Sequence, residues 1–276
     1  LFGLWLQASA TAPLPAAKLP QVEAGIQLYS LRNELKNDLP GTLAWIKAQG
    51  ITTVETYGTL GLTPEQFRAE LDKAGLRAVS MHAGLDRLKK DPGGVAAEAK
   101  TLGISCVGVA WYPHQGDVFT PQDAQNAIAD FNAIGKAMSE RGLTFFYHNH
   151  GYEFQPAAGG GTLFDVIAAG TDPKWVKFQM DVFWVLHPGQ DPVALLRKYP
   201  GRFLLMHMKD MQKGVTGDLT GHGKDEWSVA MGTGQADWPA ILKAAKKAGV
   251  KYFLIEDEAP AVQQQVPQSL RYLRGA

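Results

Sequence analysis

The sequence predicts a single α/β domain closed as a (β/α)8 TIM barrel. Three observations carry this. Short β-like runs alternate with helical patterns from residue 23 onward, eight times over. Glycine recurs where a helix hands over to the next strand, at Gly50, Gly75, Gly103, Gly142, Gly201 and Gly249. The length of 276 residues is one that such barrels take as a single domain. Strand–helix alternation argues for a parallel sheet with right-handed crossovers, and eight units favour closure over an open sheet. No Gly-x-Gly-x-x-Gly follows the first strand, which weakens a dinucleotide-binding alternative.

The first unit joins a strand over 24–29 to a helix over 39–49. The second joins 52–57 to 63–74, where Thr63 serves as N-cap and Pro64 fits the first helical position. Units three and four take strands 77–82 and 106–112 with helices 94–102 and 121–141. Units five and six take strands 144–148 and 176–181 with helices 162–169 and 192–199. Units seven and eight take strands 203–209 and 252–256 with helices 238–248 and 261–274. Glycine just past a helix end accepts the left-handed conformation that stops the helix.

Residues 1–22 read differently from the barrel segment 23–276. Positions 1–7 are apolar and uncharged, Ala8-Ser9-Ala10 is a small-x-small pattern, and the first basic residue is Lys18. Together they read as a signal-peptide remnant followed by an Ala/Pro-rich leader, which places the protein in the periplasm or outside the cell. A short cap on the barrel bottom, with a cytoplasmic location, is the alternative. No later segment approaches the ~20 apolar residues that span a bilayer. Lys+Arg and Asp+Glu both number 27, so the net charge is zero and no basic run marks a nucleic-acid partner. The one cysteine, Cys106, lies in an apolar run and reads as core filler without an internal disulfide.

Ionisable residues collect where strands end. Strand five ends in His148, strand six in Asp181, strand seven in His207 and strand eight in Glu256. In this architecture the active site is built from strand C-termini and the loops after them. An apolar strand that finishes in an ionisable group incurs desolvation unless a partner is present. Each residue alone fits a structural hydrogen bond. Four on adjacent strands predict a divalent metal held by His148, Asp181, His207 and Glu256. Imidazole and carboxylate ligands suit Zn, Mn, Fe or Co; Mg also stays open.

Four runs then become specific: Tyr147-His148-Asn149-His150-Gly151-Tyr152-Glu153-Phe154, Met180-Asp181-Val182-Phe183-Trp184, His207-Met208-Lys209-Asp210, and Gly232-Thr233-Gly234-Gln235-Ala236-Asp237-Trp238. With the opening Gly25-Ile26-Gln27-Leu28-Tyr29-Ser30-Leu31, they resemble the sugar phosphate isomerase/epimerase family of the xylose-isomerase-like TIM barrels. That family typically binds one divalent metal with Glu, Asp, His and Glu. Asp181, His207 and Glu256 match, and His148 stands where the family has Glu. This departure puts a relay between two glutamates in doubt.

The resemblance implies enediolate chemistry on a small carbohydrate, with proton transfer beside a carbonyl. His150, Glu153 and Glu256 are the candidate bases. His150 comes first because an unshifted imidazole titrates near neutrality. Lys209 can stabilise an oxyanion or bind a hydroxyl; a salt bridge to Asp210 or Glu258 is its other reading. Glu55 and His82, at the ends of strands two and three, can bind substrate hydroxyls. Trp111, Tyr112 and Trp184 can stack on a sugar ring, and His187 can approach the site. The loop around His222 reads either as a lid or as a solvated loop.

The expected activity is isomerisation or epimerisation of an unphosphorylated sugar or keto-sugar. A lyase or hydratase acting on 3-keto-glycosides by the same first step is the alternative. More distant are an abasic-site endonuclease and a non-catalytic sugar-binding protein. Family members often dimerise, which leaves a homodimer open.

Overall fold

The computed structural model describes residues 19–275, so the signal-peptide reading of the N-terminus lies largely outside the described residues. The strands in chain order are β1 (Ala24–Gln27), β2 (Thr53–Thr56), β3 (Arg77–His82), β4 (Cys106–Val109), β5 (Thr144–His148), β6 (Val176–Asp181), β7 (Phe203–Met208), β8 (Asp210–Met211), β9 (Ser228–Val229) and β10 (Tyr252–Ile255). All but β8 and β9 close into one parallel barrel, with β1 between β2 and β10. β8 and β9 form a separate antiparallel ribbon above it.

Local chemistry accounts for these elements. Thr63 and Gln66 complete a capping box before the helix Pro64–Ala74, and Gly75 ends that helix at φ 69°. Strand one stops at Gln27, short of 24–29, because the Gln27 side chain accepts the Tyr29 N–H and starts a 3-10 turn over Leu28–Leu31. The helices Arg32–Asn37, Leu85–Lys90 and Val182–Leu186 are too short to show a helical period and were not expected.

Residues two apart on a strand share a face. Phe146, Leu205 and Leu254 therefore point with His148, His207 and Glu256. They join Val79 and Cys106 in an apolar cluster that floors the barrel. Cys106 is buried, as its apolar run implies. Gly108 makes room for this floor: a Cβ there would come within 2.2 Å of the Phe146 ring.

Candidate metal centre and its cavity

Above the floor lies a layer of buried polar side chains. Asp181 on β6 and His207 on β7 are register partners, which brings their side chains together at the C-terminal end of the barrel. Glu256 follows β10 directly. His207 Nδ1 stands 3.7 Å from Asp181 Oδ2 and 3.3 Å from Glu256 Oε2. Asp181, His207 and Glu256 offer ligand atoms within 4.8 Å of one another. Asp181 Oδ2 and His207 Nδ1 are buried with no hydrogen-bond partner among the described residues. Buried polar atoms are rarely left unpaired, because each costs about 1–3 kcal/mol. Two carboxylates and an imidazole aimed at one point thus fit a divalent cation.

The charges respond to this crowding. Burial pushes Asp181 up to about 6. Burial works the same way on Glu256, but His207 and Lys209 outweigh it and hold that carboxyl well below its usual range. Burial would lower His207, yet the Glu256 and Glu55 carboxylates raise it well above an ordinary imidazole.

His148, the fourth expected ligand, falls in a different group with His82 and His207. Its Nδ1 lies 3.1 Å from Gln179 Oε1, and its ring packs 4.8 Å from the His207 ring. His82 Nε2 reaches the same Gln179 oxygen at 2.8 Å. Both imidazoles thus find an acceptor inside the protein. Glu55 is wholly buried, and its oxygens are taken by Gln27, Ser80, Gln179 and His207. Its acceptor oxygens are thus occupied by protein groups, contrary to the expectation from the sequence that they bind substrate hydroxyls.

A cavity of about 180 Å³ reaches this layer through Lys209, lined by residues that include His150, Phe183, Trp184, Lys209, His222 and Glu258. Lys209 bonds Glu258, lies 3.5 Å from Glu256 Oε2, and sits 5.4 Å from the Trp184 ring centre. These partners realise its salt-bridge reading, with Glu258 and not Asp210. The Trp184 ring stacks on His150 at 4.5 Å. The segment 212–227 between β8 and β9 roofs the cavity, and Arg32 ties it down through Asp225 at 2.9 Å.

Several expected site residues do other work. Burial and Lys209 lower the His150 imidazole to about 3, so the near-neutral titration that favoured it as base is lost. Glu153 is wholly buried and accepts from the His150 N–H at 2.9 Å and the Tyr147 hydroxyl at 2.8 Å, which makes it an anchor of the loop after β5. Tyr112 donates to Asp130 on the outer helix Pro121–Ser139, away from the mouth. His187 packs under the roof, against the Asp218 backbone and the Phe183 ring. Trp111 is a rim residue, 36% exposed, packed against His114, His150 and Tyr152.

Gln179, Asn149 and Glu258 were not singled out from the sequence as site residues. Gln179 lies two positions from Asp181 on the same strand, so strand alternation is its available signal, whereas Glu258 lies past the end of β10. Asn149 exchanges two hydrogen bonds with the Asp181 backbone, fixing where β6 ends.

A sequence model described as xylose isomerase-like TIM barrel matches residues 43–276. An inosose dehydratase of Bacillus cereus is 31% identical over 99 residues, covering 36% of this chain and 32% of that protein. The match thus spans about a third of the length of that curated relative. Among solved structures, a sugar phosphate isomerase/epimerase from Parabacteroides distasonis superposes with TM-score 0.78 at 26% identity, over 98% of this chain and 99% of that one. The IOLI protein with a bound zinc atom superposes with TM-score 0.70 at 14% identity, over 92% of this chain and 96% of that one, and attests the shared fold.

Proposed function

The chain belongs to the xylose isomerase-like TIM barrel family, and from that premise we propose that it is a divalent-metal-dependent isomerase or epimerase of an unphosphorylated sugar or keto-sugar. One observation carries the reading: Asp181 Oδ2 and His207 Nδ1, buried and without partners among the described residues, face Glu256, whose Oε2 lies 3.5 Å from Lys209 in the wall of a cavity. Asp181, His207 and Glu256 would hold the cation. Bound there, it supplies the positive charge that acidifies a C–H bond beside a substrate carbonyl.

The cavity wall supplies the rest. Trp184 and Phe183 border the wall but are almost wholly buried, so a carbohydrate there would meet mainly polar groups. The Lys209 ammonium donates to a substrate oxygen, and its charge is already balanced by Glu256 and Glu258, which suits a neutral polyol better than a phosphate dianion. Glu258 is a carboxylate of the wall able to take the carbon-bound proton; a neutral His150 is the other candidate. The roof over 212–227 limits water at the reacting carbon.

The relatives named inosose dehydratase favour a second reading, elimination after the same proton removal. The C–H proton passes to the base, the electron pair forms a C=C bond, and the neighbouring C–O bond breaks. Lys209 is placed to protonate the departing hydroxide, which leaves as water.

Metal analysis of the purified protein, followed by incubation with keto-sugars, inososes and 3-keto-glucosides in deuterated water, tests both readings. Deuterium in an isomer of unchanged composition supports isomerisation, and a product lighter by one water, or a released aglycone, supports elimination. No exchange into any of these substrates with metal-loaded protein would overturn both.

A further inference from the structure

Glu55 sits in the polar layer with both oxygens occupied. Oε1 accepts from Gln27 Nε2 at 2.7 Å and Gln179 Nε2 at 3.1 Å. Oε2 accepts from Ser80 Oγ at 2.5 Å and Gln179 Nε2 at 2.9 Å. His82 Nε2 stands 3.2 Å from Oε1. The shortest approach of a histidine is His207 Nε2, 2.6 Å from Oε1.

That approach decides where the His207 proton lies. Oε1 already accepts from two amide groups, so in its bond with His207 it again accepts, and Nε2 donates. A neutral imidazole that donates through one nitrogen presents a lone pair at the other. The other nitrogen, Nδ1, is the one that faces Asp181 and Glu256.

We propose that Glu55 is a positioning residue, which fixes His207 as the Nε2–H tautomer and so aims its Nδ1 lone pair at the point shared by Asp181 and Glu256. The proposal rests on the cation reading above. Partners of this kind orient metal-binding histidines and tune their affinity. Glu55 is itself held by Gln27, Ser80 and Gln179, so the aim of His207 is set by three further barrel strands.

The test compares wild type with Glu55→Gln, Ser80→Ala and Asp181→Asn. Zinc affinity is measured by chelator competition, folding by thermal denaturation, and the His207 tautomer by long-range ¹⁵N–¹H correlation on metal-free protein, at a pH high enough that the imidazole, raised by Glu256 and Glu55, has lost its second proton. Glu55→Gln is expected to weaken zinc binding by about 10–100-fold and to replace a single Nε2–H tautomer by a mixture. Ser80→Ala removes one bond to Oε2 and leaves the bond to His207, so it lowers stability with affinity near wild type. An affinity for Glu55→Gln within about threefold of wild type, with an unchanged tautomer, would overturn the proposal. Undiminished zinc affinity in Asp181→Asn would instead overturn the cation reading, and the metal-free spectra would still judge Glu55.

Discussion

Asp181 and His207 are register partners on adjacent strands, yet Oδ2 and Nδ1 stand 3.7 Å apart with neither atom hydrogen-bonded among the described residues. A gap of this kind between complementary groups should close on a ligand. Zinc or manganese at a hundred times its Kd should stabilise the wild type by about 2.7 kcal/mol. Asp181→Asn should lose that gain. The metal-free variant should stay within about 1 kcal/mol of wild type, since the amide oxygen still accepts the Trp184 N–H. Thermal melts with and without metal read both effects; equal shifts in the two proteins would reject the prediction.

Glu153 predicts a pH dependence of stability. Burial raises its carboxyl from 4.5 to about 7. Between those values the folded state keeps a proton that the unfolded state has lost. Its contribution is therefore fully present below pH 4.5 and is lost as pH rises to about 7. The loss is on the order of 3 kcal/mol. Glu153→Gln should flatten this part of the curve, measured by urea unfolding across the window. An unchanged slope would show that Glu153 does not titrate there.

Asp210 accepts from the backbone N–H of Met211, Gly232, Gly234 and Ala236 and from Trp238 Nε1. It thereby ties the 232–238 turn to the end of the barrel. Asp210→Ala should strand these donors and cost about 3–5 kcal/mol. Hydrogen exchange should accelerate first over residues 232–238. Exchange unchanged there would contradict this assignment.

Gly108→Ala should destabilise by about 1–3 kcal/mol, because the added methyl meets the Phe146 ring that floors the barrel. Chemical denaturation measures the cost. Phe146→Leu in the same chain should recover part of it, and no recovery would place the strain elsewhere.

The barrel was legible because eight strand–helix units repeat and their glycines mark the turns. Asp181, His207 and Glu256 were legible because ionisable groups end apolar strands. The rest depended on side-chain direction. Glu55 and His148 also end strands, but nothing in their spacing tells an inward hydrogen-bond network from a ligand shell. Glu153 and Tyr112 show the same limit: Tyr147 and Asp130, the partners that hold them, lie on separate elements. The ribbon of β8 and β9 is two residues per strand, too short to leave any alternating pattern.

Arg32 and Asp225 join the first barrel turn to the roof, and both are partly exposed, at 23% and 51%. An exposed ion pair is worth at most about 1 kcal/mol and is screened by salt. Traffic into the chamber is thus latched weakly and from the outside. Turnover limited by entry or exit would quicken as ionic strength rises, whereas turnover limited by bond breaking beneath the roof would not respond.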